Sequence, residues 1–270
     1  MRSKEYVHGY SERETQRLQE QSLILENLLH SGTSYPSGSR VLEVGCGVGA
    51  QTLILLRRNP GIHLTSIDMS AESLKKAREN VEEMGYDNVE FLHENILDHR
   101  LKPGSFDHLF ICFVLEHMEQ PVRALEHMMK LLRVGGTITL IEGDHGSGKW
   151  TPETEASRAA WNGLVISQQM LGHDPDIGRR LHAIMSDTGI QNPQVEPREV
   201  SPNQSNPKLL DGVVNQIITP MVYSAEKQVL ENQLVEPHIW KTGLRDLSHV
   251  AKSADGTFFY SWFKGEGFRT

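Results

Sequence analysis

The stretch most capable of chemistry is VLEVGCGVGAQT, residues 41–52, an apolar strand that runs into three glycines within five positions. Glycine gives up its side chain where the backbone must take a positive φ or pass close to another group. Glu43 stands two residues ahead of Gly45, and Cys46, Gly47 and Gly49 follow. Asp68 closes the next apolar run, HLTSID, with Met69 after it. A carboxylate at such a place can accept two hydrogen bonds from neighbouring hydroxyls, which an amide does less well. Further on, Glu116 and His117 follow FDHLFICFVL, and Glu142, Asp144 and His145 lie in IEGDHGSGKW. His145 is the best general-base candidate, because imidazole titrates near neutrality and Asp144 or Glu142 is placed to orient it. The alternative is a loop histidine with ordinary hydrogen bonds, one of 13 in the chain.

Regular elements must hold these residues in place. From Arg40 the chain alternates: RVLEVG, HLTSID, NVEFLHEN, FDHLFICFVL and TITLIEG read as strands. Between them AQTLILLRRN, SAESLKKARENVEEMG and PVRALEHMMKLLRVGG read as helices. The second helix puts Leu74, Ala77, Val81 and Met84 on one face, and the third ends on two glycines. Strands alternating with helices imply parallel pairing in a doubly wound α/β sheet, and strands that are apolar throughout imply cover on both faces. IEGDHGSGKW reads as a polar loop beyond the fifth strand. After it, residues 153–172, 175–188 and 207–235 read as helical, while PQVEPREVS and TFFYSWFKGEG read as the last strands. The expected organisation is an N-terminal helical arm over 1–39 and one sheet domain over 40–270. Helical cap insertions are expected at about 147–190 and 203–250.

The bulk numbers exclude several classes. Of the 270 residues, 23% are charged and 38% apolar, with a net charge of −8. That balance suits a soluble globular chain and offers no general attraction to nucleic acid or acidic membranes. No apolar run approaches the ~20 residues of a membrane span, and the first residues are too polar for a secretory signal. Cys46 and Cys112 show neither CxxC nor Cys/His spacing and read as reduced thiols rather than metal ligands. The expectation is a cytoplasmic protein with no metal, nucleic acid or membrane partner, whose arm or cap is available for a homo-oligomer contact.

GCGVGA can be read in two ways. Gly45, Gly47 and Ala50 fit GxGxxG/A, and Asp68 lies at the distance expected of a ribose-binding acid in a dinucleotide site. The same letters, taken from Glu43, spell E-x-G-x-G-x-G, which resembles motif I of the class I S-adenosylmethionine-dependent methyltransferases. In that family the glycine loop, here with Cys46 inside it, passes beside the methionyl and ribose portions of the cofactor. The resemblance implies that Glu43 faces the cofactor amino group, that Asp68 binds both ribose hydroxyls and that Met69 lies under the adenine. Asn95, followed by Ile96, stands where the family usually has an Asp for the adenine amino group; the amide keeps the acceptor and loses the charge.

FDHLFICFVLEHM resembles motif IV, which implies Phe113 and His117 at the cofactor edge, and FFYSWFKGEG resembles the family's reversed seventh strand. The match is good over 40–143 and thin over 190–270. It implies an α/β, doubly wound, mostly parallel seven-stranded Rossmann-like methyltransferase sheet with an N-terminal helical arm and helical cap insertions. The implied activity is methyl transfer from S-adenosyl-L-methionine to a small-molecule acceptor by in-line displacement. An N-terminal arm that folds over the cofactor would bring Tyr10 to it; a helix packed on the sheet edge or on another subunit is the alternative. Two other functions stay open: a cofactor-binding scaffold without turnover, and an NAD-dependent oxidoreductase. For the latter, Tyr223 and Lys227 have the spacing of a dehydrogenase pair.

Overall fold

The computed structural model describes residues 25–270. Tyr10 and most of the expected arm lie outside the described residues. Residues 25–29 are helical. Seven strands follow: β1 (Arg40–Val44), β2 (His63–Asp68), β3 (Val89–His93), β4 (Phe106–Cys112), β5 (Leu132–Thr151), β6 (Gln191–Val200) and β7 (Thr257–Phe268). They form one sheet in the order β3-β2-β1-β4-β5-β7-β6. β1 pairs in parallel with β2 and β4, β2 with β3, and β4 with β5. The doubly wound sheet expected from the alternation is therefore the fold the chain adopts. Its register sets Glu43 between Ser66 and Phe110, and Asp68 beside His93.

The helices of the first half are α1 (Ala50–Arg58), α2 (Ala71–Glu83) and α3 (Pro121–Met129). Ser70 caps α2, its hydroxyl accepting from the Ser73 N–H at 3.1 Å, and Leu74, Ala77 and Val81 face inward as their spacing requires. Met84 departs from that expectation. It sits at the C-cap, past the end of the regular spacing, and is 61% exposed. Pro121 opens α3, where its missing N–H costs nothing. Leu42, Val44 and Ile67 from β1 and β2 join Leu125 and Met128 of α3 in the core.

Two expectations fail around β5. The helix ends at Met129 rather than at the glycine pair, and the chain rejoins the sheet at Leu132. Gly135 and Gly136 instead form an irregularity within the strand, where the register jumps from Phe106↔Leu132 to His108↔Thr137. Gly135 has φ 74°, and a Cβ on Gly136 would lie 2.9 Å from the carbonyl oxygens of Arg133 and Asp107. The two glycines also bond Arg269 through Gly135 N–H to its carbonyl (2.7 Å) and Arg269 N–H to the Gly136 carbonyl (2.9 Å). The second failure is that IEGDHGSGKW is not a loop, since β5 runs unbroken to Thr151. Sheet pairing, which local polarity does not report, overrides the weak strand propensity of Gly, Asp and Ser.

The remaining helices are α4 (Glu155–Met170), α5 (Ile177–Asp187), α6 (Pro207–Asp211), α7 (Thr219–Ser224), α8 (Glu226–Glu231) and α9 (Pro237–His249). The described chain divides into two compact units. One, the sheet unit, comprises Glu26–Gly143, Asp176–Arg198 and Trp262–Thr270; the other, the helical unit, holds Asp144–Pro175 and Glu199–Ser261. α5 packs on α3 in the sheet unit, where a Cβ on Gly178 would come within 2.7 Å of the Gly143 carbonyl oxygen. In the helical unit α4 and α9 pack most extensively, with Trp161 and Trp240 fully buried. Residues Gly212–Ile218 form a π-helical segment ahead of α7. Pro220 accounts for it, because a ring without an N–H crowds the carbonyl one turn back and widens the coil.

The α4–α9 contact depends on an absent side chain. A Cβ on Gly243 would stand 2.2 Å from the Ala156 carbonyl oxygen and 2.8 Å from the Ala160 Cβ. Gly243→Ala is expected to cost about 1–3 kcal/mol by forcing the helices apart, read as a lower urea midpoint. An unchanged midpoint would mean that the pair separates freely.

Candidate functional site

The glycine loop is built by backbone bonds and one carboxylate. The N–H groups of Gly45 and Cys46 donate to the Ile67 carbonyl at 2.8 and 3.0 Å, which folds the loop over the end of β2. Gly47 N–H donates to Asp68 Oδ2 at 2.8 Å, while Ser70 N–H donates to Asp68 Oδ1 at 2.8 Å. Asn80 from α2 adds a bond from its amide to the Val48 carbonyl at 2.9 Å. Gly45, Gly47 and Gly49 all have positive φ, at 70°, 53° and 82°.

The space around the three glycines differs. A Cβ on Gly45 would strike Val114 Cγ2 at 2.6 Å, and one on Gly49 would crowd the Ala77 backbone at 3.2 Å. Those two glycines are required by the protein's own packing. A Cβ on Gly47 would meet nothing within 4 Å. Here the loop leaves open space beside Asp68, suited to an approaching ligand.

Glu43 is 2% exposed, and its Oε2 accepts from the Thr52 hydroxyl at 2.6 Å and the Ser66 hydroxyl at 2.7 Å. Its Oε1 is buried without a partner among the described residues. Burial pushes this carboxyl up to about 7, against the opposing hydrogen bonds from Ser66 and Thr52. Burial also raises Asp68 from its ordinary value, against the N–H bonds from Ser70 and Gly47. Thr52 and Ser66 were not singled out in the sequence. Their one signal is a polar residue set into otherwise apolar runs, TLILL and HLTSID.

The other expected residues lie just past the ends of β2, β3 and β4 and, in β5, at the level where β4 ends. Met69 is 54% exposed just past β2, and its carbonyl accepts from His93 Nε2 at 3.0 Å. Asn95 is exposed, and its Oδ1 takes the Leu97 N–H at 3.0 Å, so the acceptor expected to face a ligand already serves a local turn. Ile96 beside it is buried. Phe113 follows β4 with φ 58°, a left-handed conformation that costs an aromatic residue energy, and its N–H donates to the Ile141 carbonyl at 2.9 Å. That turn aims the N–H groups of Val114 and Leu115 at Glu142 Oε1, at 3.1 and 2.8 Å. Glu142 is fully buried, and desolvation, then the Glu116 carboxylate, pushes its carboxyl well above the usual range. His117 Nε2 lies 3.3 Å from Glu116 Oε1.

His145 belongs to the helical unit. It is 3% exposed, and its Nδ1 meets the Tyr260 hydroxyl at 2.6 Å. Its ring stands edge-on to Trp161 at 5.9 Å, and the Trp161 indole N–H donates to its carbonyl at 3.2 Å. The partner of Nδ1 is thus a phenol, where sequence offered Asp144 or Glu142. Nothing in the sequence joins positions 145 and 260; only β5 and β7 side by side do so. Tyr223 and Lys227 lie on successive short helices, α7 and α8, instead of one continuous helix. Among the described residues no group of three or more His, Cys, Asp or Glu is placed to hold a metal, and no helix is long and apolar enough to cross a membrane.

Comparison with known proteins agrees with this fold. A family model described as a methyltransferase domain matches residues 36–189, more than half of the chain. The chain belongs to the methyltransferase-domain family. It is 32% identical over 106 residues to demethylmenaquinone methyltransferase of Listeria welshimeri, a stretch covering 39% of this chain and 45% of that one. It is 35% identical over 107 residues to phosphatidylethanolamine N-methyltransferase of Cereibacter sphaeroides, covering 38% and 50%. The match spans about half the length of both relatives. Among solved structures, Haemonchus contortus phosphoethanolamine N-methyltransferase 2 superposes with a TM-score of 0.57 at 16% identity, over 92% of this chain and 52% of that one. At that identity the likeness concerns the fold.

The Glu43 carboxyl has a measurable consequence for stability. A buried acid whose folded value lies near 7, against about 4.5 unfolded, binds more protons folded than unfolded between those values. Its ionisation therefore lowers stability as pH rises through that window. In Glu43→Gln this loss is expected to vanish, leaving the variant less sensitive than the wild type by on the order of 3 kcal/mol between pH 5 and 8. The measurement is urea unfolding at both pH values, and parallel behaviour of the two proteins would sink the assignment.

Proposed function

We propose that the protein transfers a methyl group from S-adenosyl-L-methionine to a small-molecule acceptor. The observation that carries this reading is the open space at Gly47, whose N–H is held by Asp68; a second is a Glu43 oxygen, on the strand that leads into the loop, that is buried without a partner among the described residues. An orphaned buried oxygen is costly, and a cationic amino group is the partner that removes the cost. When bound, the cofactor supplies a methyl on a positively charged sulfur, which is electrophilic as it stands.

The chain's own residues then have distinct tasks. Glu43 holds the amino group, and Asp68 spends its remaining lone pairs on the ribose hydroxyls while keeping Gly47 in place. Gly45, Cys46, Gly47 and Gly49 pass the backbone beside the ligand. Met69, exposed at the end of β2, and Ile96 flank the adenine; Asn95, Phe113 and His117 complete its rim. His145 takes the acceptor's proton where the acceptor starts protonated, with Tyr260 fixing its ring. Transfer itself asks mainly for alignment of the nucleophile and exclusion of water.

Relatives named for demethylmenaquinone and phosphatidylethanolamine support a small or lipid-like acceptor. We further infer a cytoplasmic location, no nucleic-acid partner given the net charge of −8, and helical cap insertions at about 147–190 and 203–250. A homo-oligomer through the arm or that cap, and Tyr10 as a cofactor contact, belong to the same reading. A dinucleotide is the weaker choice, because such a ligand gives Glu43 nothing to do.

Calorimetric titration tests the reading. S-adenosylmethionine and S-adenosylhomocysteine are expected to bind, NAD is not, and Asp68→Ala is expected to weaken binding by tenfold or more. A cation beside Glu43 favours its ionised form, so binding should release a proton and weaken up to about tenfold from pH 8 to pH 6. Glu43→Gln should bind with a flat pH profile. Binding of NAD alone would overturn the proposal.

A further inference from the structure

A buried polar group stands apart from the glycine loop, on α4 of the helical unit. Gln168, on α4, is 0% exposed, and among the described residues neither its Oε1 nor its Nε2 has a hydrogen-bond partner. A primary amide taken out of water without compensation destabilises a fold by about 1–3 kcal/mol. Chains seldom keep such a group where Leu or Met would fill the volume. Both ends of the amide being unmet at once points to a partner that arrives from outside.

Its position supports that reading. Gln168 comes two helical turns after Trp161 and so projects from the same face of α4, about 10 Å further along the axis. Trp161 is the residue that contacts the His145 ring and carbonyl. Beyond α4 the chain turns back: the His173 N–H donates to the Gln168 carbonyl at 3.0 Å, and the Pro175 carbonyl accepts from the His145 N–H at 2.9 Å. One end of α4 and the segment following it are thus tied to the candidate base. The two short helices packed against α4 each carry a further buried oxygen without a partner among the described residues, Thr219 Oγ1 on α7 and Gln228 Oε1 on α8. Thr219 directly follows the π-helical segment, a distortion frequent at functional sites.

We propose that Gln168 is the recognition residue of a ligand site within the helical unit, and that the group it binds is uncharged and carries a hydroxyl or carbonyl oxygen. The site is independent of the methyl-transfer reading and stands on the orphaned amide. An amide offers one acceptor and two donors and no formal charge. A carboxylate or ammonium brought to it would keep most of its desolvation cost, whereas a phenol, alcohol, amide or ketone would satisfy it. Discrimination by unmet hydrogen bonds is strong, because a ligand lacking the group leaves the buried amide unpaired.

Two measurements on the full chain test the proposal. In thermal unfolding, Gln168→Leu is expected to raise Tm by about 2–4 °C, since it removes an unsatisfied amide and keeps the volume. A lowered Tm would mean that water or protein already satisfies the amide, and the proposal would fall. In the second, the side-chain amide signals of Gln168, identified by their loss in the Leu variant, are followed by NMR. Phenol, benzamide and acetophenone are titrated to 10 mM, with benzoate and benzylamine as charged counterparts. Movement with the neutral compounds and little with the ions is the expected result. A stronger response to either ion, or none to any compound, overturns the assignment. Calorimetry of Gln168→Leu with S-adenosylhomocysteine should give wild-type affinity. Absence of cofactor binding in the wild type would defeat the methyltransferase reading and leave the amide result intact.

Discussion

The bond from Gly47 N–H to Asp68 is the constraint on which the candidate site depends. β1 ends inside the sheet, and its chain must reverse into α1 within a few residues. Three positive-φ glycines make the reversal possible, but they do not make it unique. Uniqueness comes from anchoring: two N–H groups on the Ile67 carbonyl, one on Asp68, and Asn80 reaching from α2. Asp68 simultaneously holds the Ser70 N–H, and Ser70 caps α2. One carboxylate at the end of β2 therefore fixes the glycine loop and the start of the next helix.

Around that anchor the chain accepts several local costs. Glu43 and Glu142 are carboxyls buried to 2% and 0% exposure, and Phe113 sits in a left-handed conformation. Each has a structural return, since Thr52 and Ser66 clasp Glu43, and Glu142 collects the N–H groups that the Phe113 turn presents. The return is incomplete for both acids, each of which keeps one buried oxygen unmet among the described residues. Costs of this kind, gathered at the carboxyl ends of β1 and β4 and at the level of β5 beside them, mark the edge where open α/β sheets bind ligands. The helical unit repeats the pattern with Gln168, a neutral group in place of a charged one.

The sequence by itself determined the sheet and the glycine loop, because both are written in local terms. Apolar runs of strand length separated by helical periodicity admit few arrangements besides a doubly wound sheet, and β1 to β4 fall where the pattern put them. Glu43, three glycines and Asp68 lie within 26 residues, close enough for their spacing to carry meaning. Local terms failed at β5, where Gly135 and Gly136 looked like a helix stop and IEGDHGSGKW like a loop. Both segments were decided by hydrogen bonding to distant chain, as in the bonds from the two glycines to Arg269.

What only the tertiary structure decided are the partners. Thr52 and Ser66 on Glu43, the phenol of Tyr260 on His145, and the lack of a side-chain partner for Gln168 among the described residues depend on residues brought together across elements. A sequence shows which side chains can donate and accept. Whether a polar group is satisfied is a property of its whole surroundings, and those exist only once the chain has folded.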